Sequence, residues 1–485
     1  MLAVLAWSLA VPLVSTPDAA QHVAYAASVV RGNLTSPEVV VEEGASVSVK
    51  SRLTVPQAYA ELDGRFACFD RANPDRIGCD LVLGDGRDAT EALSSAGRYP
   101  PAYYFLVGLP TLIPKAAVGI QFARWVAVAM NGLLLAAAIV LARRWKRDVV
   151  LLLAFTPRLG FLSALVNPSG PELAGSVLLW VGALRVAERL RDADASGAGS
   201  GAWAALGVGG AVVALARPIG PVMVASVIGA AALYALASRG PRAVAQTLGR
   251  TVADSVVARR AMVGLGVAML VAVSWILWRD PSGALSGVPA PDLAVADIVR
   301  QMLEDLHGHL RAMVWFGSLA TADAWLLVVG VAVGAALWRG DRGARLAVGA
   351  VVAWALVVPI LAVIRTADQI GVVWQGRYSQ PVVAGLVVIA SFTLGARLAP
   401  AVADRVRVAV AAGVGVVNVW AVQEHLASRI AWPGAPTSWF PAAAPDGWSP
   451  LLPALAVVLV AAVGWVLLVP LPVRGVRPRT PAMLR

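Results

Sequence analysis

Apolar runs of membrane-crossing length recur along the chain, separated by short polar connections rich in arginine. A hydrocarbon core about 30 Å thick needs roughly 20 mostly apolar residues of helix. Runs of that order fall at about 119–142, 149–166, 171–187, 202–216, 219–237, 261–278, 324–338, 346–364, 379–396, 408–422 and 451–470. A shorter apolar segment at 1–14 reads as a truncated first span, or else as a signal sequence. Counting it, the pattern predicts an all-α polytopic membrane protein with about 12 transmembrane helices and a large first loop.

Within 15–118 the pattern changes. Val39 to Val41 and Val47 to Val55 are strand-like, the second with near alternation, and Glu42-Glu43-Gly44 supplies a turn, which predicts a hairpin. Tyr99-Pro100-Pro101-Ala102-Tyr103-Tyr104 then opens an apolar run that ends at Pro114, too short to span. It reads as a half-embedded helix with its tyrosines at headgroup level. The chain thus divides into a first span (1–14), a loop with juxtamembrane helices (15–118), a helical membrane domain (119–470) and a basic tail (471–485).

Where the first apolar segment meets the loop, Thr16 can cap a helix that starts at Pro17, a residue with no amide hydrogen to lose there. Asp18 enters the first turn, His22 lies one turn on, and Tyr25 and Val29 continue the stripe until Arg31-Gly32 ends it. An acid and an imidazole then share one face at the membrane surface. A plainer reading has Asp18 complementing the helix dipole and His22 solvated.

Composition agrees with the class: of 485 residues, 58% are hydrophobic and 14% charged. The net charge of +11 does not signal nucleic acid, because the arginines alternate with apolar spans and form no continuous basic face. They cluster in alternate connections, at Arg143 to Arg147, Arg185 to Arg191, Arg239 to Arg260, Arg339 to Arg345, Arg397 to Arg407 and in the tail. By the positive-inside bias these connections are cytoplasmic, as are both termini. The first loop and all four histidines (His22, His307, His309 and His425) are then outside. The two cysteines, Cys68 and Cys79, both lie in that loop and predict a disulfide on the oxidising side. No strand-to-helix glycine loop for a nucleotide cofactor occurs, since Gly207-Val208-Gly209-Gly210 lies inside a span.

Two sets of residues carry candidate chemistry within the membrane domain. Arg217-Pro218 interrupts an apolar stretch, and an arginine at membrane depth needs an anionic partner, unless it snorkels at a helix end. Arg158, after Pro157, takes the snorkelling reading. The connection 364–379 concentrates Gln375, Arg377 and Tyr378 at a membrane mouth. Guanidinium binds phosphate bidentately and aromatic rings pack on sugar faces, so these residues suit a lipid phosphate or a sugar.

Five features occur in a fixed order: Thr16-Pro17-Asp18 with His22, the Tyr99-to-Tyr104 motif, Asn167-Pro168, Trp315-Phe316-Gly317 before Asp323, and Gln375-Gly376-Arg377-Tyr378. Together they resemble the domain-of-unknown-function 2142 family of bacterial multi-pass membrane proteins, similar to GT-C glycosyltransferases. The resemblance implies a GT-C-like architecture in the bacterial plasma membrane, using a polyprenyl-phosphate-linked sugar outside the cell. The acceptor would be a cell-envelope glycan or lipid. Asp18 would act as general base, beside His22, or hold a divalent cation (Mg or Mn). Arg377, with Tyr378 and Gln375, and Arg217 would bind the donor, and Tyr103 is a further binding candidate. The family favours acids where this chain has Ala19 and Ser169, and Glu172, one helical turn after Ser169, is the candidate substitute. The alternatives are a transporter or flippase for lipid-linked saccharides, and a non-catalytic binding or scaffold protein.

Overall fold

A computed structural model of the chain describes residues 1–13, 17–43, 45–62, 83–192, 199–279, 288–315, 317–430 and 448–469. Thr16, the Cys68 and Cys79 pair and the basic tail lie outside these residues.

The chain opens with a nine-residue helix, α1 (Leu2–Ala10), followed by α2 (Pro17–Val29). Strands β1 (Glu38–Glu43) and β2 (Ser46–Pro56) form the expected antiparallel hairpin, with Glu43 opposite Ser46 and Glu38 opposite Ser51. After one turn of helix, α3 (Gln57–Ala60), a third strand that the alternation did not reveal joins on the other side of β2: β3 (Ala89–Ser94). Leu53 and Val55 of β2 are buried in the cluster that contains Val23 and Tyr25 of α2, which makes α2 the floor of the sheet. The short apolar run is α4 (Pro101–Gly108) and a 3-10 turn at Leu109–Leu112. Gly32 ends the α2 segment in the left-handed region at φ 87°, and Arg31 donates to the carbonyls of Ala27 (2.7 Å) and Thr111 (2.8 Å). One side chain thereby closes a helix end and ties it to the turn after α4.

The membrane helices follow. They are α5 (Ala116–Arg144), the short α6 (Pro157–Ser163), α7 (Ser169–Arg191), α8 (Gly199–Ala216) and α9 (Gly220–Arg239). Next come the amphipathic α10 (Pro241–Asp254) and then α11 (Val256–Arg279). Two short helices, α12 (Val295–Glu304) and α13 (Leu306–Val314), precede α14 (Leu319–Arg339), α15 (Arg342–Ile370), α16 (Gly376–Arg397), α17 (Pro400–Ile430) and α18 (Ala454–Val466). Eight of the described helices are long and apolar enough to cross a membrane: α5, α8, α9, α11, α14, α15, α16 and α17. The chain is a multi-pass membrane protein.

The segment 149–166 corrects the sequence reading. It is not one helix but a 3-10 turn at Leu151–Ala154 and the seven residues of α6. It nevertheless runs from one end of the bundle, where Asp148 pairs with Arg407, to the other, where Ser169 meets Arg217. Irregular backbone at membrane depth is tolerated only inside protein, and nearly every residue from Val149 to Asn167 is buried. Its amide groups find local partners: the Val150 N–H donates to Ser391 Oγ (3.2 Å), and Thr156 Oγ1 accepts from the Leu159 N–H (3.2 Å).

The centre of the bundle is α7 against α16. Almost every residue of α7 is buried, and 72% of the apolar stretch of α16 is buried against 17% for α11. Trp180 of α7 fits because position 385 has no side chain: a Cβ on Gly385 would lie 2.2 Å from the indole. The two ends of the bundle differ. The sheet and α2 lie at one, and the arginine-rich connections at the other.

Candidate functional site

The sheet sets the position of α2. Ser94 Oγ donates to the Gln21 carbonyl (2.9 Å), and Gln21 Oε1 accepts from the N–H (2.9 Å) and hydroxyl (2.7 Å) of Ser95. With Gln21 fixed, Ala20 and Val23 enter the core, and Asp18 comes to the rim. There the Asp18 carboxylate accepts a hydrogen bond from Arg377 Nη2 at 3.0 Å, across 359 positions of sequence.

Arg377 is the second residue of α16, and its neighbours in sequence explain its place. A Cβ on Gly376 would lie 2.2 Å from the His309 carbonyl oxygen, so glycine is what lets α13 pack on the start of α16. Pro381, inside α16, has no N–H to return to the Arg377 carbonyl, which loosens the first turn. Tyr378 turns inward, with the Arg377 guanidinium 5.5 Å from its ring centre and Trp374 edge-on at 5.6 Å.

Arg217 reaches the same ring. It lies in the break between α8 and α9, where Pro218 ends the helical ladder, and its guanidinium stands 4.6 Å from the Tyr378 ring and 5.7 Å from that of Tyr99. Its Nη1 faces Glu172 Oε2 and Ser169 Oγ, both at 3.4 Å, and its Nη2 faces the Tyr99 hydroxyl at 3.4 Å. Asn167 Oδ1 accepts from the Ser169 N–H (2.9 Å) and so starts α7 with Ser169 and Glu172 on one side. The expected substitution of Glu172 for an acid at 169 thus has a geometric basis: both side chains meet the same arginine nitrogen.

The side chains grade from open to closed: Asp18 is 44% exposed, Arg377 14%, Arg217 7% and Glu172 0%. Among these four the cluster is most open to solvent at Asp18. Burial raises the Asp18 carboxyl, but the charges of Arg377, His22 and Arg217 and the Arg377 hydrogen bond outweigh it, and its pKa falls below the ordinary value. The carboxylate is therefore ionised at neutral pH. His22 goes the other way from a solvated residue. Burial, helped by Arg217 and Arg377 and opposed by Asp18, lowers its pKa to about 4, so the ring is neutral at pH 7. Its Nδ1 is 2.8 Å from the Tyr104 hydroxyl.

Asp18, His22, Arg377, Tyr378, Arg217 and Glu172 are thus brought together. Two sequence candidates are not. Tyr103 is buried one layer back, edge-on to Tyr104 at 5.1 Å, and Gln375 is exposed just before α16. Tyr99 and Tyr104 take the places given to Tyr103. The motif announced all three, but adjacent positions on a helix point in different directions, and only the packing of α2 on α4 decides between them. Arg158 also departs from expectation. It points inward, donating to the Ala312 carbonyl at 2.6 Å, and its charge is felt by Arg377 and Tyr378.

A divalent cation at this cluster would compete with Arg377 for Asp18. Asp18 is engaged by Arg377, and among the described residues no three His, Cys, Asp or Glu side chains gather.

A family model described as predicted membrane protein, DUF2142, matches residues 1–386, a stretch that holds the whole cluster and leaves out the end of α16, α17 and α18. The chain belongs to that family. No curated protein matches it.

Proposed function

We propose that this member of the family is a membrane glycosyltransferase of GT-C type, transferring a sugar from a polyprenyl-phosphate donor to a cell-envelope acceptor. The sheet end faces outside the bacterial plasma membrane and the arginine-rich end, with both termini, faces the cytoplasm. The observation that carries the reading is the pairing of Asp18 with Arg377 beside Arg217 and Tyr378. It sets a base next to phosphate-binding groups at a membrane surface.

Glycosyl transfer forms a bond from an acceptor oxygen to the anomeric carbon and breaks the bond from that carbon to the phosphate oxygen. The acceptor hydroxyl must lose its proton, and the departing phosphate must be held as charge develops on it. Asp18, ionised and open to solvent, takes the proton. Arg377 and Arg217 hold the phosphate, and the sugar lies beside the aromatic rings of Tyr99 and Tyr378 that pack on Arg217. The resting ion pair adds an order to these events. A donor phosphate competes with Asp18 for Arg377, and release from the arginine makes the carboxylate a stronger base when the donor is in place.

The test is Asp18→Asn in protein reconstituted with its lipid-linked donor. Turnover is expected to fall by about 10²–10⁴-fold. Donor binding is retained or improved, because the amide competes less for Arg377. Wild-type transfer by this variant would remove the assignment. Movement of lipid-linked sugar across the bilayer by both proteins, without transfer, would replace it with a transporter.

A further inference from the structure

The hydroxyl of Tyr104 decides what His22 can do. Tyr104 is 0% exposed, and among the described residues its hydroxyl has one hydrogen-bond partner, His22 Nδ1 at 2.8 Å. The neighbouring phenol, Tyr25, packs edge-on at 4.6 Å and donates to the Tyr99 carbonyl (3.1 Å), and no hydrogen bond joins its hydroxyl to that of Tyr104. A buried O–H must donate or bear its full desolvation cost. It therefore donates to Nδ1, which must carry a lone pair, and in a neutral imidazole the proton is then on Nε2.

We propose that Tyr104 is a positioning residue that fixes His22 as the neutral Nε2–H tautomer, so that the imidazole offers a hydrogen bond to a substrate oxygen beside Asp18 and does not act as a base. Only the identity of that oxygen, on a phosphate or a sugar, rests on the glycosyltransferase reading. The groups around the ring agree. Arg217 from the α8–α9 break and Arg377 from α16 oppose a second ring proton, Asp18 on the same helix favours one, and burial outweighs Asp18. The described residues supply Nε2–H with no acceptor of its own, which leaves that donor for a ligand. Proton abstraction then belongs to Asp18 alone.

The experiment is nitrogen NMR of the full-length protein labelled with ¹⁵N-histidine in micelles, the His22 signals being assigned by their loss in His22→Gln. In the wild type the expected result is a protonated Nε2 and a bare Nδ1 from about pH 8 down to pH 5.5, with titration only near pH 4. In Tyr104→Phe the two tautomers should mix, a change that loss of packing alone would not produce in a correctly folded protein. A proton on Nδ1 in the wild type, or a doubly protonated ring at pH 7, overturns the proposal. The wild-type spectrum decides even if the Phe variant does not fold. Absence of sugar transfer by the wild type would remove the glycosyltransferase reading and leave the tautomer intact, so the two failures are distinct.

Discussion

Arginines gather at both ends of this bundle, and Arg217 at the sheet end is held differently from those at the other. At the end away from the sheet three acids each serve two arginines. Glu188 takes Arg147 at 2.6 Å and Arg185 at 2.5 Å, Asp148 takes Arg407 at 2.7 Å and Arg143 at 3.5 Å, and Asp341 takes Arg191 at 2.5 Å and Arg397 at 3.6 Å. These contacts join the end of α7 to the turn before the broken crossing and to the α14–α15 turn. At the sheet end Arg217 is more deeply buried but more loosely held, with one carboxylate and two hydroxyls at 3.4 Å and two aromatic rings nearby. A guanidinium whose fork is already filled by carboxylate is a clamp, and one held by long contacts and aromatic faces keeps capacity for a phosphate. Residue type does not separate the two roles. Contact geometry does.

The comparison breaks most visibly at Glu188. Replacing it with Gln leaves Arg147 and Arg185, 19% and 10% exposed, without their shared carboxylate. Removing one partner of a buried ion pair costs about 3–5 kcal/mol, and partial exposure puts this case toward the lower end. Thermal unfolding of the purified protein should show the loss, while donor affinity of the folded fraction stays the same. An unchanged melting temperature would mean that these arginines are no more clamped than Arg217.

Acid separates the two ends at somewhat smaller cost. Unfolded His22 binds its proton near pH 6.5, but the folded ring does so only near pH 4. Between these values the unfolded chain holds more protons, so stability rises with pH and the sheet end weakens as pH falls from 6.5 to 4, by about 3 kcal/mol in all. At the other end burial raises the Asp341 carboxyl, but the Arg191 hydrogen bond and the remaining partners outweigh it, and its pKa lies below the ordinary value. That pairing holds until the pH drops below the usual carboxylate range. Stability measured against pH should therefore lose much of its slope between 6.5 and 4 in His22→Asn. A slope identical to the wild type would show that the ring is not buried as a neutral group.

The smallest effect sharpens the contrast at a single guanidinium. Arg377→Lys keeps the charge and loses the fork, so donor affinity should weaken by about 1–3 kcal/mol with little change in stability. The corresponding change at Arg147 should do the reverse. Equal donor affinity in wild type and Arg377→Lys would take the residue out of the phosphate site.

Much of this was legible in the chain. Apolar runs near 20 residues long, the alternation of Val47 to Val55 and the proline-bounded run from Tyr99 each announced its element, because hydrophobic period and turn chemistry act locally. The segment 149–166 misled for the same reason. Its composition suits a span, but Pro157 and close packing by α7, α13 and α16 make it an irregular crossing. Arg124, inside the apolar run 119–142, shows in the sequence only as a charge at membrane depth, with no hint of its use. It is buried in α5 and donates to the carbonyls of Ser8 (2.6 Å) and Val11 (2.9 Å), closing the end of α1, a use of charge that depends on which helix lies alongside.

By itself the sequence determined the membrane class, most of the helices and the residue types able to handle a lipid phosphate, since these follow from hydrophobicity, helix period and the cost of charge in hydrocarbon. Only the tertiary structure decided that Asp18 meets Arg377 and that Arg217 and Arg377 both pack on Tyr378. It also chose Tyr99 and Tyr104 over Tyr103, and brought Ser169 and Glu172 to one nitrogen of Arg217. Each of these depends on contacts between segments far apart in the chain. Such contacts are fixed by how whole helices pack, through close approaches such as those at Gly376 and Gly385, and no local pattern encodes them.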